Sequence, residues 1–218
     1  MTTLTAPKLS RAEQSAQRKV LILRAALCEF SEKGFSSSRM DDIAKLAGVA
    51  KGTLYLHFKD KEALFSALIE QLLSPMVQQI EAPLPAGESI RTHLEKFLQT
   101  LLAKLTHSPE ASILRLLITE GFRFPNLTKL YYETIVHRGL KGIEKLLLQA
   151  VKNGEMKQKD LPKSPQLVVS PFITAIIWKM LFEPYHPLDL QAMLATHLDL
   201  IFSEPLKAVS LVIKEDHP

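Results

Sequence analysis

The stretch that decides the fold is residues 40–58, which read MDDIAKLAGVAKGTLYLHF. Ile43 and Ala47 lie four residues apart and predict a short helix with one apolar face. Gly48 follows, and glycine commonly ends a helix because it adopts a positive φ without strain. A second short helix is predicted to begin at Lys51. Two short helices joined by a glycine-containing turn form a helix-turn-helix, whose second helix is narrow enough to enter the DNA major groove.

The side chains of the second helix divide into an inward and an outward set. Leu54 and Phe58 lie four residues apart and face the core. Lys51 lies in the first turn, where the helix dipole disfavours a cation, so a phosphate partner would explain its position. The remaining outward residues offer hydrogen-bond donors or close backbone approach to DNA: Gly52, Thr53, Tyr55 and His57. The alternative is a helix pair that serves only packing, because such pairs occur throughout all-α proteins.

These residues carry a family resemblance. GVAKGTLYLHF at residues 48–58, followed by KDKEALF at 59–65, resembles the DNA-binding module of the TetR (tetracycline repressor) family of bacterial transcription regulators. The resemblance covers residues 17–77, with the helix-turn-helix at about 40–58. It implies that the following residues contact DNA: Ser38, Arg39, Lys51, Gly52, Thr53, Tyr55, His57 and Lys61. One departure is Ala50, because many members carry a serine there that can cap the recognition helix.

The basic charge of the chain is concentrated in the part that carries this motif. The 218 residues have a net charge of +4, with 46% hydrophobic and 23% charged residues, which is typical of a soluble protein. Residues 1–61 hold 11 Lys+Arg and 6 Asp+Glu, whereas the rest is nearly balanced at 16 and 17. A basic surplus on this segment is expected if the segment binds a polyanion.

Other classes of function find little support. The sequence contains no Gly-x-Ser-x-Gly elbow, phosphate-binding glycine loop or His-Glu-x-x-His motif, so we expect no enzyme and no cofactor. Its histidines lack the paired spacing of metal ligands, so no metal site is expected. Cys28, the single cysteine, fits a reducing cytoplasm and is interpreted as packing rather than as a redox sensor. Residues 1–16 lack a secretory signal and are predicted to form a flexible arm and the start of the first helix.

The second part of the chain is also predicted to be helical. A helix starting near Asp60 ends before APLPAG at residues 82–87, which is the clearest internal break. No strand-like alternation is sustained anywhere. We therefore predict an all-α fold, with an N-terminal three-helix helix-turn-helix DNA-binding domain and a C-terminal helical domain at 83–218 that binds a ligand and dimerises.

The most apolar stretch is predicted to lie in a dimer interface. Residues 167–182 are too short for a membrane span and contain Pro171 and Lys179, so no membrane helix is expected. Residues 188–202 form a second apolar helix. Because helix-turn-helix proteins usually read two half-sites as symmetric dimers, we predict a homodimer through about 165–203, and the resemblance implies the same. The alternative is that both helices belong to the internal core.

The resemblance also implies a small-molecule pocket in the second domain. The candidates are apolar or aromatic and would suit an effector of that kind: Phe97, Leu101, Leu117, Ile118, Phe122, Tyr132, Ile135, Trp178 and Phe182. The alternative is that each of these residues belongs to the ordinary core, which is the commoner role for such side chains. Polar candidates are Arg115, Glu120, His93 and His137.

The sequence therefore predicts a ligand-responsive regulator, specifically a dimeric repressor that holds a near-palindromic double-stranded DNA operator. A small molecule of unknown identity would release it from the operator. A transcriptional activator, or a DNA-binding protein of the same fold that no ligand controls, is the alternative.

Overall fold

The computed structural model describes residues 10–104 and 108–202, and all regular secondary structure in these ranges is helical. The predicted all-α fold is confirmed. Residues 1–9 of the predicted arm and residues 203–218 of the predicted second domain lie outside the described residues. The helices are α1 Arg11–Ser37, α2 Met40–Leu46, α3 Lys51–His57, α4 Lys61–Glu81, α5 Ile90–Ala103, α6 Pro109–Glu120, α7 Pro125–Tyr131, α8 His137–Asn153, α9 Gln166–Leu181 and α10 Leu190–Phe202.

Local capping explains where several helices begin. Ser10 and Glu13 form a capping box at the start of α1, where the Glu13 N–H donates to the Ser10 hydroxyl at 3.2 Å. The Asp60 carboxylate accepts a hydrogen bond from the Ala63 N–H at 2.7 Å, as expected for the cap of α4. Ser108 caps α6 and is followed by proline at the first helical position. A π-helical turn, Tyr132–Val136, joins α7 to α8.

The chain divides into two compact units. The first combines residues 1–81 with residues 103–139, and the second combines residues 82–102 with residues 140–218. Helices α6 and α7 therefore belong to the same compact unit as the helix-turn-helix, although a long stretch of sequence separates them. No helix in residues 10–104 and 108–202 has both the length and the apolarity needed to cross a membrane.

Aromatic packing forms the centre of the first unit. Phe30 and Phe35 belong to α1, and Phe65 belongs to α4. The centroids of these three rings are 5.2 to 6.4 Å apart. Phe124 adds a fourth ring, 5.1 Å from that of Phe35. Phe35 reaches this core because Gly34 interrupts α1 with φ 77° and ψ 165°, a conformation that only glycine adopts readily.

The second unit packs α5, α8, α9 and α10 around a separate apolar core. Its most deeply buried side chains are aliphatic: Ile90, Leu94, Leu98, Leu147, Val168, Ala175, Leu194 and Leu198. Polar contacts connect its helices, since the Arg91 guanidinium donates to Asp199 at 2.5 Å and the Ile90 N–H donates to Glu155 at 2.8 Å. Helix α9 is not fully covered, because Ile173, Ile177 and Leu181 remain exposed.

We expect Gly34→Ala to destabilise the protein by about 3 kcal/mol or more, because backbone strain at a positive φ adds to the loss of the hydrogen bonds that the displaced Glu120 carboxylate accepts. A Cβ atom at residue 34 would lie 2.2 Å from Glu120 Oε1. The matched control is Gly48→Ala, where φ is also positive but no atom lies within 4 Å of the added Cβ; it should cost about 1 kcal/mol. Thermal denaturation measures both, and equal losses would contradict this account.

Candidate nucleic-acid interface

The helix-turn-helix predicted at about 40–58 is present. Helix α2 ends at Leu46, Gly48 takes φ 67°, and the Val49 N–H donates to the Ala44 carbonyl at 3.0 Å to close the turn. Helix α3 starts without a side-chain cap because Ala50 occupies the capping position. Its inward residues are as predicted, since Leu54 and Phe58 are buried. These two side chains hold α3 in place and leave its other face free.

The outward face of α3 presents most of the predicted DNA-contacting residues. Lys51, Gly52 and Tyr55 are exposed, while Thr53 and His57 are half-buried. Arg39, which precedes α2, is also exposed. This face combines a cation, a phenol and an imidazole on one short helix, which is the chemistry needed to bind phosphates and base edges.

Leu56 is the residue of this face that sequence reasoning missed. Its side chain is 86% exposed, more than any other apolar residue of the helix-turn-helix. Helical geometry could have found it, because two residues beyond the buried Leu54 is the opposite side of a helix. An exposed leucine on this face is suited to contact a thymine methyl group in the major groove.

Lys51 has a partner within the protein. Its Nζ lies 2.8 Å from an Asp41 carboxylate oxygen on α2, and this hydrogen bond together with the negative charge of Asp41 raises the pKa of the Lys51 ammonium. The position of a cation in the first turn is thus explained without a phosphate. Both side chains are at least half exposed, however, and an ion pair in water is weak enough to be exchanged for a phosphate.

Two other predicted contacts are engaged at the end of α1. The Ser38 hydroxyl is buried and donates to the carbonyls of Gly34 at 2.6 Å and Glu29 at 3.1 Å, so only the main chain of Ser38 is left for the predicted phosphate contact. The Lys61 Nζ donates to the carbonyls of Phe35 at 2.6 Å and Ser36 at 3.1 Å. Sequence reasoning assigned both side chains to DNA because their tertiary partners were not recognisable in the sequence.

The predicted ligand-binding residues of the first unit differ in exposure. Ile135 is buried and Leu117 is half-buried, whereas Ile118 and Tyr132 are exposed. Phe122, expected in an interior pocket, is instead fully exposed, because α6 ends at Glu120 and the chain turns before α7.

The predicted ligand-binding residues of the second unit form two groups. Phe97 and Leu101 are buried on α5. Trp178 and Phe182 pack together with ring centroids 5.2 Å apart, and the Trp178 indole N–H donates to the His186 carbonyl at 2.6 Å. The structure thus brings Trp178 and Phe182 together as an aromatic pair at the C-terminal end of α9.

An open groove runs between α9 and α10 within the second unit. Pro171, Thr174, Met193, His197 and Leu200 line it. Burial lowers the pKa of the His197 imidazole, so this histidine is neutral near pH 7. In residues 10–104 and 108–202 there is no cluster of three or more His, Cys, Asp or Glu side chains suited to hold a metal ion.

Two family models match the chain. Residues 22–68 match the model for bacterial regulatory proteins of the tetR family, and residues 92–197 match the model for the C-terminal domain of AefR-like transcriptional repressors. The first match contains α2 and α3, and the second extends from α5 into α10.

Individual relatives give the same result. YvdT of Bacillus subtilis, an uncharacterised HTH-type transcriptional regulator, is 31% identical over 147 residues, which cover 67% of this chain and 73% of YvdT. YhgD of the same organism, also an uncharacterised regulator of this type, is 42% identical over 89 residues. That alignment covers 39% of this chain and 47% of YhgD, so it spans less than half of that relative.

A solved structure extends the likeness to the whole fold. The flavonoid-responsive regulator FrrA is 27% identical, with a TM-score of 0.62, and the match covers 85% of this chain and 95% of FrrA. All these relatives are transcription regulators, which agrees with the prediction that the protein is not an enzyme. The chain therefore belongs to the TetR family of helix-turn-helix transcription regulators and carries an AefR-like C-terminal domain.

Proposed function

We propose that this regulator is a repressor that binds a near-palindromic operator as a homodimer and releases it when a small apolar or aromatic molecule binds. The observation that carries the proposal is the outward face of α3, where Lys51, Tyr55 and Leu56 are exposed on a helix anchored by Leu54. Repression is favoured because the C-terminal domain matches a family of repressors. A protein with this role acts in the cytoplasm, beside the bacterial chromosome.

Operator binding is assigned to the face of α3 and its surroundings. Base edges would be read by the exposed side chains of the recognition helix, and phosphates by the cations around it. The proposed DNA-contacting set comprises Arg39, Lys51, Gly52, Thr53, Tyr55, His57 and Lys61, the main chain of Ser38, and in addition Leu56. For Lys51, binding would exchange Asp41 for a phosphate, which costs little because the ion pair is exposed.

Dimerisation is assigned to α9 and α10, within the predicted range of about 165–203. Ile173, Ile177 and Leu181 recur every four residues along α9 and all remain exposed, and Leu200 on α10 is 64% exposed. A helix face of this kind is unfavourable in water and is covered when a second copy packs against it. The neutral state of His197 in the adjacent groove keeps this surface free of an unpaired charge.

Ligand binding is assigned to the apolar residues of the helices outside the helix-turn-helix. The aromatic pair of Trp178 and Phe182 offers ring faces to a planar molecule, and FrrA, a relative of similar fold, is described as flavonoid-responsive. The ligand would act by binding the DNA-free conformation more tightly than the DNA-bound one. The remaining candidates are Phe97 and Leu101 in the second unit, and separately Leu117, Ile118, Tyr132 and Ile135 in the first.

Selection of bound duplexes from a random DNA pool near physiological salt should enrich an inverted repeat, because a symmetric dimer reads two equivalent half-sites. Lys51→Ala should then weaken operator binding by about 1 kcal/mol or more and lower the salt dependence by about one ion per subunit. Lys163→Ala, which removes an exposed lysine of the second unit, is the control and should change neither. Enrichment without symmetry would contradict the dimeric mode of binding.

Gly52→Ala should separate fold stability from DNA binding. Gly52 lies inside α3 with no atom within 4 Å of an added Cβ, so alanine should stabilise the helix by about 0.5 to 1 kcal/mol. The same methyl group would hinder close approach of the helix backbone to DNA, so operator affinity should fall. Thermal denaturation and a binding titration measure the two effects, and tighter binding would refute the proposed role of Gly52.

Ile177→Glu should convert the dimer to monomers, because it places a charge in the proposed interface. Leu148→Glu is the matched control, since Leu148 is an exposed leucine on α8 of the same unit, outside this face. Sedimentation equilibrium should show a loss of dimer only for Ile177→Glu. If both variants remained dimeric, the interface would have to lie elsewhere.

A further inference from the structure

One carboxylate connects the end of α6 to the corner where α1 ends. Glu120, the last residue of α6, accepts a hydrogen bond on Oε1 from the Phe35 N–H at 2.8 Å and another on Oε2 from the Ser36 N–H at 3.1 Å. The partners are 85 and 84 positions apart in the sequence and lie in the same compact unit. Hydrogen bonds from main-chain N–H groups to a carboxylate are stronger than those between neutral groups.

The backbone of the corner is shaped to receive this carboxylate. Gly34 takes φ 77° and ψ 165°, which directs the next two N–H groups outward to the same side as Glu120. A Cβ atom at residue 34 would lie only 2.2 Å from Glu120 Oε1, so the carboxylate occupies the space that any other residue would fill. Glycine at this position serves both the turn and the close approach.

The same two main-chain residues are held from the other side by α4. The Lys61 ammonium donates to the carbonyls of Phe35 and Ser36, and it lies 4.8 Å from the Phe35 ring centroid. The N–H groups of Phe35 and Ser36 are thus bound by an anion from α6, while their carbonyls are bound by a cation from α4. This arrangement links three helices through two adjacent residues, Phe35 and Ser36.

The corner leads directly into the DNA-binding elements. Ser38 and Arg39 follow within three residues of Ser36, α2 begins at Met40, and the turn to α3 comes seven residues later. The Phe35 ring also packs on Phe124, which immediately precedes α7. The corner is therefore a direct contact between α6 and the segment that leads into the helix-turn-helix.

We propose that Glu120 is a positioning residue for operator binding, whose carboxylate holds the Phe35 and Ser36 N–H groups and so fixes the helix-turn-helix to the end of α6. It does not itself contact DNA. This inference rests on the proposed function, because its consequence is measured as operator affinity. Without the carboxylate, the Phe35 and Ser36 N–H groups lose the hydrogen bonds that they donate to Glu120. The recognition helix then samples a wider range of positions. A smaller fraction of these positions fits the operator, so the affinity for the operator falls.

The sign of the effect distinguishes positioning from simple electrostatics. Glu120→Gln removes a negative charge from the unit that binds DNA, and long-range electrostatics alone would then tighten binding to the polyanion. The proposal predicts the opposite. Glutamine retains only one oxygen acceptor, and its NH₂ group would face the second N–H donor, so at most one of the two hydrogen bonds to Phe35 and Ser36 is kept.

The test compares Glu120→Gln and Glu120→Ala with wild type on the selected operator and on an unrelated duplex. We expect operator affinity to fall on the order of tenfold while binding to the unrelated duplex is unchanged or slightly tighter. Glu110→Gln is the matched control, because it removes the same charge from the first turn of the same helix, where Glu110 pairs with Lys104. Thermal denaturation is used to choose a temperature at which every variant is fully folded.

Hydrogen exchange supplies a readout that requires no DNA. Both amides, Phe35 and Ser36, should exchange faster in Glu120→Ala, at least one of them should exchange faster in Glu120→Gln, and both should keep the wild-type rate in Glu110→Gln. Unchanged or tighter operator binding by Glu120→Gln, or unchanged exchange at both amides, would overturn the proposal. If the wild-type protein showed no preference for any DNA sequence, the proposed function would be refuted. That result differs from a Glu120 variant that binds the operator as wild type does, so the two failures can be told apart.

Discussion

The DNA-binding part of this protein depends on the kink in α1 at Gly34, after which Phe35 lies in the core. Phe35 is 1% exposed and packs against Phe30 of α1, Phe65 of α4 and Phe124. Aromatic rings in such tilted and edge-to-face arrangements contribute beyond their buried area, so this cluster is a strong constraint on where α1 ends. The helix-turn-helix begins at Met40, only three residues after α1 ends at Ser37. The packing of Phe35 therefore constrains where the helix-turn-helix lies.

Around this cluster, polar side chains bond main-chain N–H and carbonyl groups that apolar packing does not satisfy. The kink at Gly34 leaves main-chain N–H and carbonyl groups of Phe35 and Ser36 to be bonded by side chains, and a glutamate and a lysine bond them in pairs. The Ser38 hydroxyl bonds the carbonyls of Glu29 and Gly34 in the same way. These hydrogen bonds fix the orientation of the main chain at the corner, because they are directional. Apolar packing is not directional and does not fix this orientation.

The two sides of helix α3 differ in how much they contribute to the core. Leu54 and Phe58 bury one side and suffice to hold the helix. The opposite side, with Tyr55 and Leu56, is exposed and contributes little to the core. The exposed pair of Lys51 and Asp41 fits the same division, since a weak ion pair keeps the lysine charged and available.

The residues by themselves determined the all-helical fold, the helix-turn-helix with its inward Leu54 and Phe58, and the caps at Asp60 and Ser108. These features follow from helical periodicity and from capping chemistry, which act over a few residues and can be read along the chain. The tertiary structure alone decided where the Ser38 hydroxyl points, what Lys61 binds, that Phe122 is exposed, and that Glu120 holds the corner after Gly34. Each of these depends on contacts between segments distant in sequence, and nothing local to a residue indicates which distant main-chain group will lie beside it once the helices have packed.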